Sequence, residues 1–176
     1  MDRLLNFDAK LSQRLSLPSD SGWRQLARFV AHWGDGPYVF GGLGLAYLLA
    51  WLGDQARLRQ EVLITALIIL AAILIVTLIK FVVRRQRPRP PGEFVTFQYD
   101  VYSFPSGHAA RLAALAVSAI FFDPTLGWIL IAITLSVAVA RVAVGVHYLG
   151  DIIIGLALGV LVAWAGLTLL SYLSLP

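Results

Sequence analysis

An all-α bundle embedded in a membrane is the fold class that this sequence predicts. Three observations carry it. Hydrophobic residues make up 59% of the 176 positions and charged residues only 14%. Five apolar runs, roughly 36–53, 61–83, 107–122, 126–144 and 148–173, hold most of that excess. In the clearest of them, Val62 to Val83, Lys80 is the only charge. A helix of ~20 residues at 1.5 Å rise crosses the hydrocarbon core. A water-soluble domain of this size would struggle to hide so much apolar surface.

The elements follow in chain order. Residues 3–15 mix Leu and Phe with charges and predict an amphipathic segment. Residues 20–33 repeat the idea: Asp20 or Ser21 offers a helix cap, and Trp23, Leu26, Phe29 and Val30 form an apolar face opposite Arg24 and Arg28. Both are too short and too charged to span, which places residues 1–35 in the interface. The bundle proper is 36–176, and the whole chain, 1–176, is one membrane-embedded domain. Its third run carries His108 and Arg111 near its start. As a lone hydropathic segment it is marginal, and burial among the other helices would explain that. Connections are brief except 84–106, where Pro88, Pro90 and Pro91 force an extended path.

Composition excludes several classes. The chain has no cysteine, so disulfides and thiolate metal sites are ruled out. A net charge of +4 in such an apolar chain favours anionic lipids. No basic face interleaved with aromatics marks a nucleic-acid partner. Met1 to Lys10 lacks the apolar core of a cleaved signal.

Three short strings concentrate the chemistry: Lys80-x6-Arg87-Pro88, Pro105-Ser106-Gly107-His108 and Arg141-x5-His147-x3-Asp151. They lie at the end of the second run, the start of the third and the junction of the last two. If consecutive runs alternate in direction, all three share one membrane face. Arg87 offers a planar donor fork and Lys80 a compact charge, which suit phosphate. Arg141 would close a second side. An ionisable residue after a nearly uncharged helix is functional by default. Ser106 and Gly107 open a helix whose N-terminal N–H groups suit an oxyanion. His147 and Asp151, four apart, stack on one helix face. A carboxylate on one imidazole nitrogen fixes the tautomer and frees the other for attack. His108 at the phosphate turn would serve as general acid. Bland alternatives exist: Lys80 and the loop arginines would also snorkel at an interface, and a His–Asp pair is a common structural hydrogen bond. His32, beside Trp33, reads as structural.

In this order the strings resemble the type 2 phosphatidic acid phosphatase superfamily, whose pattern is K-x6-R-P, P-S-G-H and S-R-x5-H-x3-D. One position departs: Ala140 stands where the family has Ser. The resemblance implies that His147 is the nucleophile, forming a phosphohistidine. It also implies that Asp151 orients His147 and that His108 protonates the leaving group. Lys80, Arg87, Ser106, Gly107 and Arg141 then hold the phosphate. No metal or cofactor is implied, and no HExxH string or carboxylate cluster offers a divalent site.

The resemblance implies hydrolysis of a lipid phosphate or pyrophosphate, and small bacterial members of this shape resemble undecaprenyl pyrophosphate phosphatases. Phosphatidylglycerol phosphate, phosphatidate and lipid A phosphate are the other family substrates. A lipid phosphotransferase, and a non-enzymatic scaffold or transporter, are the competing classes. Arg84, Arg85 and Arg89 would draw in an anionic head group, and Phe94, Phe97, Tyr99 and Tyr102 would line its path. Arg57 and Arg59 in the short 54–60 loop favour a cytoplasmic place for that end, hence an extracytoplasmic active face in a bacterial inner membrane. On the last run His147, Asp151, Gly155, Gly159 and Ala163 trace one stripe. Its small residues predict close helix packing within the bundle, with dimerisation as the alternative. The sequence does not fix the oligomeric state.

Overall fold

The computed structural model describes residues 2–88 and 101–173, and every regular element among them is helical. Two helices come first, α1 (Asp2–Leu15) and α2 (Gly22–Ala31), followed by a 3-10 turn at His32–Gly34. The bundle comprises α3 (Gly36–Leu52), α4 (Ala56–Val83), α5 (Gly107–Phe122), α6 (Pro124–Val144) and α7 (Leu149–Tyr172). All five expected runs are therefore helices. Three of them, α4, α6 and α7, are long and apolar enough to cross a membrane. α3 and α5, at 17 and 16 residues, are shorter.

Two boundaries move. α4 starts five residues before the expected 61, at Ala56, and Arg57 and Glu61 pair at 2.7 Å across its first turn. α6 starts at Pro124 because the Asp123 carboxylate accepts from the N–H groups of Thr125 and Leu126.

The interior is set by periodicity. On α4 the buried positions Val62, Thr65, Ile69, Ala72, Val76 and Lys80 recur every three or four residues, so Lys80 belongs to the inward stripe. The outward residues Leu63, Leu67, Leu70, Leu74 and Leu78 are exposed, as a lipid-facing surface requires. α5 is the central helix, touching α4, α6 and α7. Its buried face is Ala109, Ala110, Leu112, Ala113, Ala114, Ala116 and Ala119. This position accounts for its marginal hydropathic signal.

His147 lies outside α7, in the corner that precedes it, so the expected stripe begins only at Asp151, and from there it packs inside the bundle. Asp151, Gly155, Gly159 and Ala163 are all buried. A Cβ on Gly155 would come within 2.5 Å of the Ser106 carbonyl oxygen, and one on Gly159 would overlap the Ala110 carbonyl. Backbone blocks both, so α5 and α7 approach at a distance only glycine permits. Gly159→Val is expected to wedge the two helices apart and destabilise by about 1–3 kcal/mol or more. Thermal unfolding in detergent would show the lowered midpoint; an unchanged midpoint would contradict this packing.

α1 and α2 turn their apolar sides outward. Leu4 and Phe7 on α1, and Trp23, Leu26 and Phe29 on α2, are exposed. Arg24 and Arg28 are half-buried instead. Such polarity suits helices with lipid outside and a polar site inside. Ser21 is the N-cap residue of α2. His32 closes the helix, its Nδ1 2.7 Å from the Arg28 carbonyl oxygen, the structural role expected of it.

Candidate active site

The start of α3, the end of α4, the start of α5, the end of α6 and the start of α7 meet at one end of the bundle. Contacts between Arg85 and Asp151, Arg87 and His147, Arg141 and His108, and Asp35 and His108 establish this. The three strings are thus brought together, as alternating helix direction requires.

A tight corner builds the centre. Gly145 adopts φ 84, a left-handed conformation that only glycine takes without strain, and it ends α6. Its N–H and that of Val146 bond back to the Val142 and Arg141 carbonyls. This fold-back sets His147 beside Arg141, both 1% exposed. Arg141 Nη2 lies 3.4 Å from His147 Nε2, and Arg87 Nη1 lies at the same distance from that nitrogen. Arg87 also donates to the Val146 carbonyl at 3.1 Å. On the other side of the ring, His147 Nδ1 faces Asp151 Oδ2 at 3.6 Å. That gap is slightly long for a hydrogen bond, and such contacts commonly tighten when substrate binds.

Asp151 is fully buried and well held. Oδ2 accepts from the Tyr148 N–H at 2.9 Å, and Oδ1 accepts from Arg85 Nη1 at 2.7 Å. Its backbone carbonyl accepts from the Ser106 N–H, which ties the second string to the third.

Ser106 is the N-cap of α5, its hydroxyl accepting from the Ala109 N–H. A Cβ on Gly107 would meet only Val76, at 3.8 Å, an ordinary contact. Packing within the protein therefore does not demand glycine there, in contrast to Gly155 and Gly159. Lys80 is buried, and its ammonium donates to the Tyr102 carbonyl at 2.7 Å. Ala140, in the family's serine position, is buried beside Arg141.

His108 brings an unforeseen partner. Its Nε2 lies 2.5 Å from Asp35 Oδ1 and 3.3 Å from Arg141 Nη1. Asp35 precedes α3 as its N-cap residue. Burial pushes the Asp35 carboxyl above its ordinary range, while the charges of His32, Arg141 and Arg111 hold it back. Nearby, Arg111 anchors the turn by donating to the Gly34 carbonyl. Asp35 left one sequence signal, a carboxylate at the edge of an apolar run.

Arg85 departs from expectation. Rather than waiting for a head group, it is committed to Asp151 and to Asp8 of α1, and its guanidinium stacks on the Tyr148 ring at 3.9 Å. Buried carboxylates outcompete solvent for such a cation. Arg84 is exposed. Tyr102 contributes its carbonyl to Lys80 and packs edge-on against Phe81. Arg89, Phe94, Phe97 and Tyr99 lie outside the described residues.

The sequence profile described as the PAP2 superfamily matches residues 61–174, which include all three strings. The chain belongs to the PAP2 superfamily. It is 35% identical over 142 residues to the decaprenylphosphoryl-5-phosphoribose phosphatase of Mycobacterium tuberculosis, spanning 78% of this chain and 75% of that one. It is 28% identical over 131 residues to the undecaprenyl-diphosphatase BcrC of Bacillus subtilis, covering 70% and 67%. In fold it is similar to the transmembrane PAP2-type phosphatidylglycerolphosphate phosphatase of Bacillus subtilis. That match has a TM-score of 0.78 at 20% identity over 96% of this chain and 87% of that one. It also resembles Aquifex aeolicus LpxE, with a TM-score of 0.71 at 20% identity, covering 90% and 93%. As a PAP2 member with relatives named as phosphatases and diphosphatases, the chain is a membrane lipid phosphatase.

Proposed function

We propose that this PAP2 enzyme removes the terminal phosphate from a polyprenyl-linked phosphate or pyrophosphate, through a phosphohistidine on His147. One observation carries the chemistry: His147 Nε2 points at Arg87 and Arg141 while Nδ1 faces Asp151. A nucleophile is thereby aimed where a phosphate would be gripped. Relatives named for undecaprenyl-diphosphate and decaprenylphosphoryl-phosphoribose substrates support the polyprenyl class.

In the proposed reaction Nε2 attacks phosphorus and the bond from phosphorus to the leaving oxygen breaks. Arg87 and Arg141 neutralise the equatorial oxygens, and Lys80, the Ser106 hydroxyl and the open position at Gly107 complete the cradle. Asp151 holds the Nδ1 proton and stabilises the cation that forms. The proton shared by His108 and Asp35 passes to the leaving oxygen through His108. Water then attacks the phosphohistidine, returning its proton to His108 as the P–N bond breaks.

The exterior at this end of the membrane is the proposed location of the site. Arg57 and Arg59 at the opposite end support that orientation.

The test is phosphate release by purified protein across undecaprenyl pyrophosphate, a polyprenylphosphoryl-5-phosphoribose, phosphatidylglycerol phosphate, phosphatidate and lipid A phosphate. The two polyprenyl substrates should be turned over fastest. Preference for a glycerolipid would reject the substrate class, and silence on all of them would reject the reading. The departure at Ala140 has its own expected result. Ala140→Ser adds a hydroxyl next to Arg141 and should raise kcat/KM, by less than about tenfold, because three cationic side chains already serve the phosphate. A fall of more than tenfold would mean that the site has no place for the hydroxyl.

A further inference from the structure

We infer that Asp8, on the N-terminal helix, is a positioning residue for the reaction, acting through Arg85 on Asp151. The inference rests on the proposed role of the His147–Asp151 pair.

The geometry is a chain of contacts from α1 to that pair. Asp8 Oδ2 accepts from Arg85 Nη2 at 2.7 Å, and the other arm of the same guanidinium, Nη1, donates to Asp151 Oδ1 at 2.7 Å. Side chains of Asp8 and Arg85 are only 18% and 16% exposed, so solvent screens the pair less than a surface bridge. A guanidinium fixed at both arms cannot rotate away from Asp151. Tyr148 closes one face of it.

A second set of contacts points the same way. The first N–H groups of a helix have no partner within it, and α7 takes two of its partners from α1. Asp8 Oδ1 accepts from the Gly150 N–H at 2.9 Å, and Ser12 Oγ accepts from the Leu149 N–H at 2.9 Å. Asp151 itself takes the Tyr148 N–H. The turn of α7 that carries Asp151 is therefore capped by α1 on one side and by Asp151 on the other.

Gly150 fits this arrangement. A Cβ there would come within 2.9 Å of Asp8 Oδ2, so this glycine admits the carboxylate. Asp8 and Ser12 lie outside the family's three strings and Arg85 is one of the unspecified positions of the first, yet together they fix where Asp151 stands. His147 then receives a carboxylate in one orientation instead of several.

The experiment uses the full chain, purified in detergent, with the lipid phosphate that the wild type turns over fastest. Asp8→Asn should lower kcat about 10–100-fold, the range seen when a partner that orients a metal-ligating group is lost. KM should stay within about twofold, since Asp8 does not face the phosphate. Asp8→Glu should recover part of kcat by restoring the charge. Because both residues act on one carboxylate, adding Asp8→Asn to Arg85→Gln should cost much less than it does alone. Wild-type kcat in Asp8→Asn overturns the proposal. So does a loss matching the drop in folded protein with no recovery in Asp8→Glu, or losses that multiply in the double variant. A wild type silent on every lipid phosphate overturns the functional reading itself, and the proposal with it. A wild type active beside an unimpaired Asp8→Asn overturns the proposal alone.

Discussion

His147→Ala is expected to lower phosphate release by at least ~10⁴-fold, with lipid phosphate still bound. The expected size follows from the proposed role of His147 as nucleophile, where losses of this order are usual. Four decades correspond to ~5.5 kcal/mol of barrier. Binding should persist because Arg87 and Arg141 reach the same point from two helix ends and neither depends on the imidazole for its position. Arg87 is held by the Val146 carbonyl, and Arg141 is part of the inward stripe of α6. Single-turnover assays with labelled lipid should show a phosphoenzyme in the wild type and none in the variant. Equal activity in the two proteins would exclude His147 as the nucleophile.

Arg141→Lys has the second largest expected effect, a loss of about 10²–10³ in kcat. Charge is conserved in this variant, so geometry alone is tested. The two terminal nitrogens of Arg141 face different histidines, Nη1 towards His108 at 3.3 Å and Nη2 towards His147 at 3.4 Å. A single ammonium cannot take both positions. The residue is also buried to 1% exposure, so no neighbouring water replaces the lost arm cheaply. Steady-state kinetics on the preferred substrate is the measurement. Activity within about fivefold of wild type would mean that the fork is not used.

What could be read from the sequence divides along chain distance. Lys80 and Arg87, Ser106 and His108, or Arg141, His147 and Asp151 lie within ten residues of one another, so spacing alone places each set at a helix end or in the short turn beside it. The α7 stripe was legible for the same reason, and the backbone contacts of Gly155 and Gly159 supply its cause. Asp35, Asp8 and Arg85 were not legible in their roles. Asp35 meets His108 across 73 residues, Asp8 meets Arg85 across 77 and Arg85 meets Asp151 across 66. No local pattern records such pairings; only the bundle brings them together. For Arg85 the surrounding arginines also misled, since a basic loop beside a membrane reads as one electrostatic patch. The start of α4 was missed for a smaller reason. Apolar content marks where a span is buried, whereas the helix runs on through the polar residues 56–61, where Arg57 pairs with Glu61.

The crowding at the corner after α6 has a consequence for the protein as a whole. Arg87 and Arg141 both stand within 3.4 Å of one imidazole nitrogen, and His108 is close by. Like charges held so near work against the fold that holds them. The glycine-tight seam of α5 and α7 and the carboxylates Asp35 and Asp151 offset that strain from either side. On the proposed reading an arriving phosphate would relieve that repulsion, and the enzyme would give up the relief at every turnover.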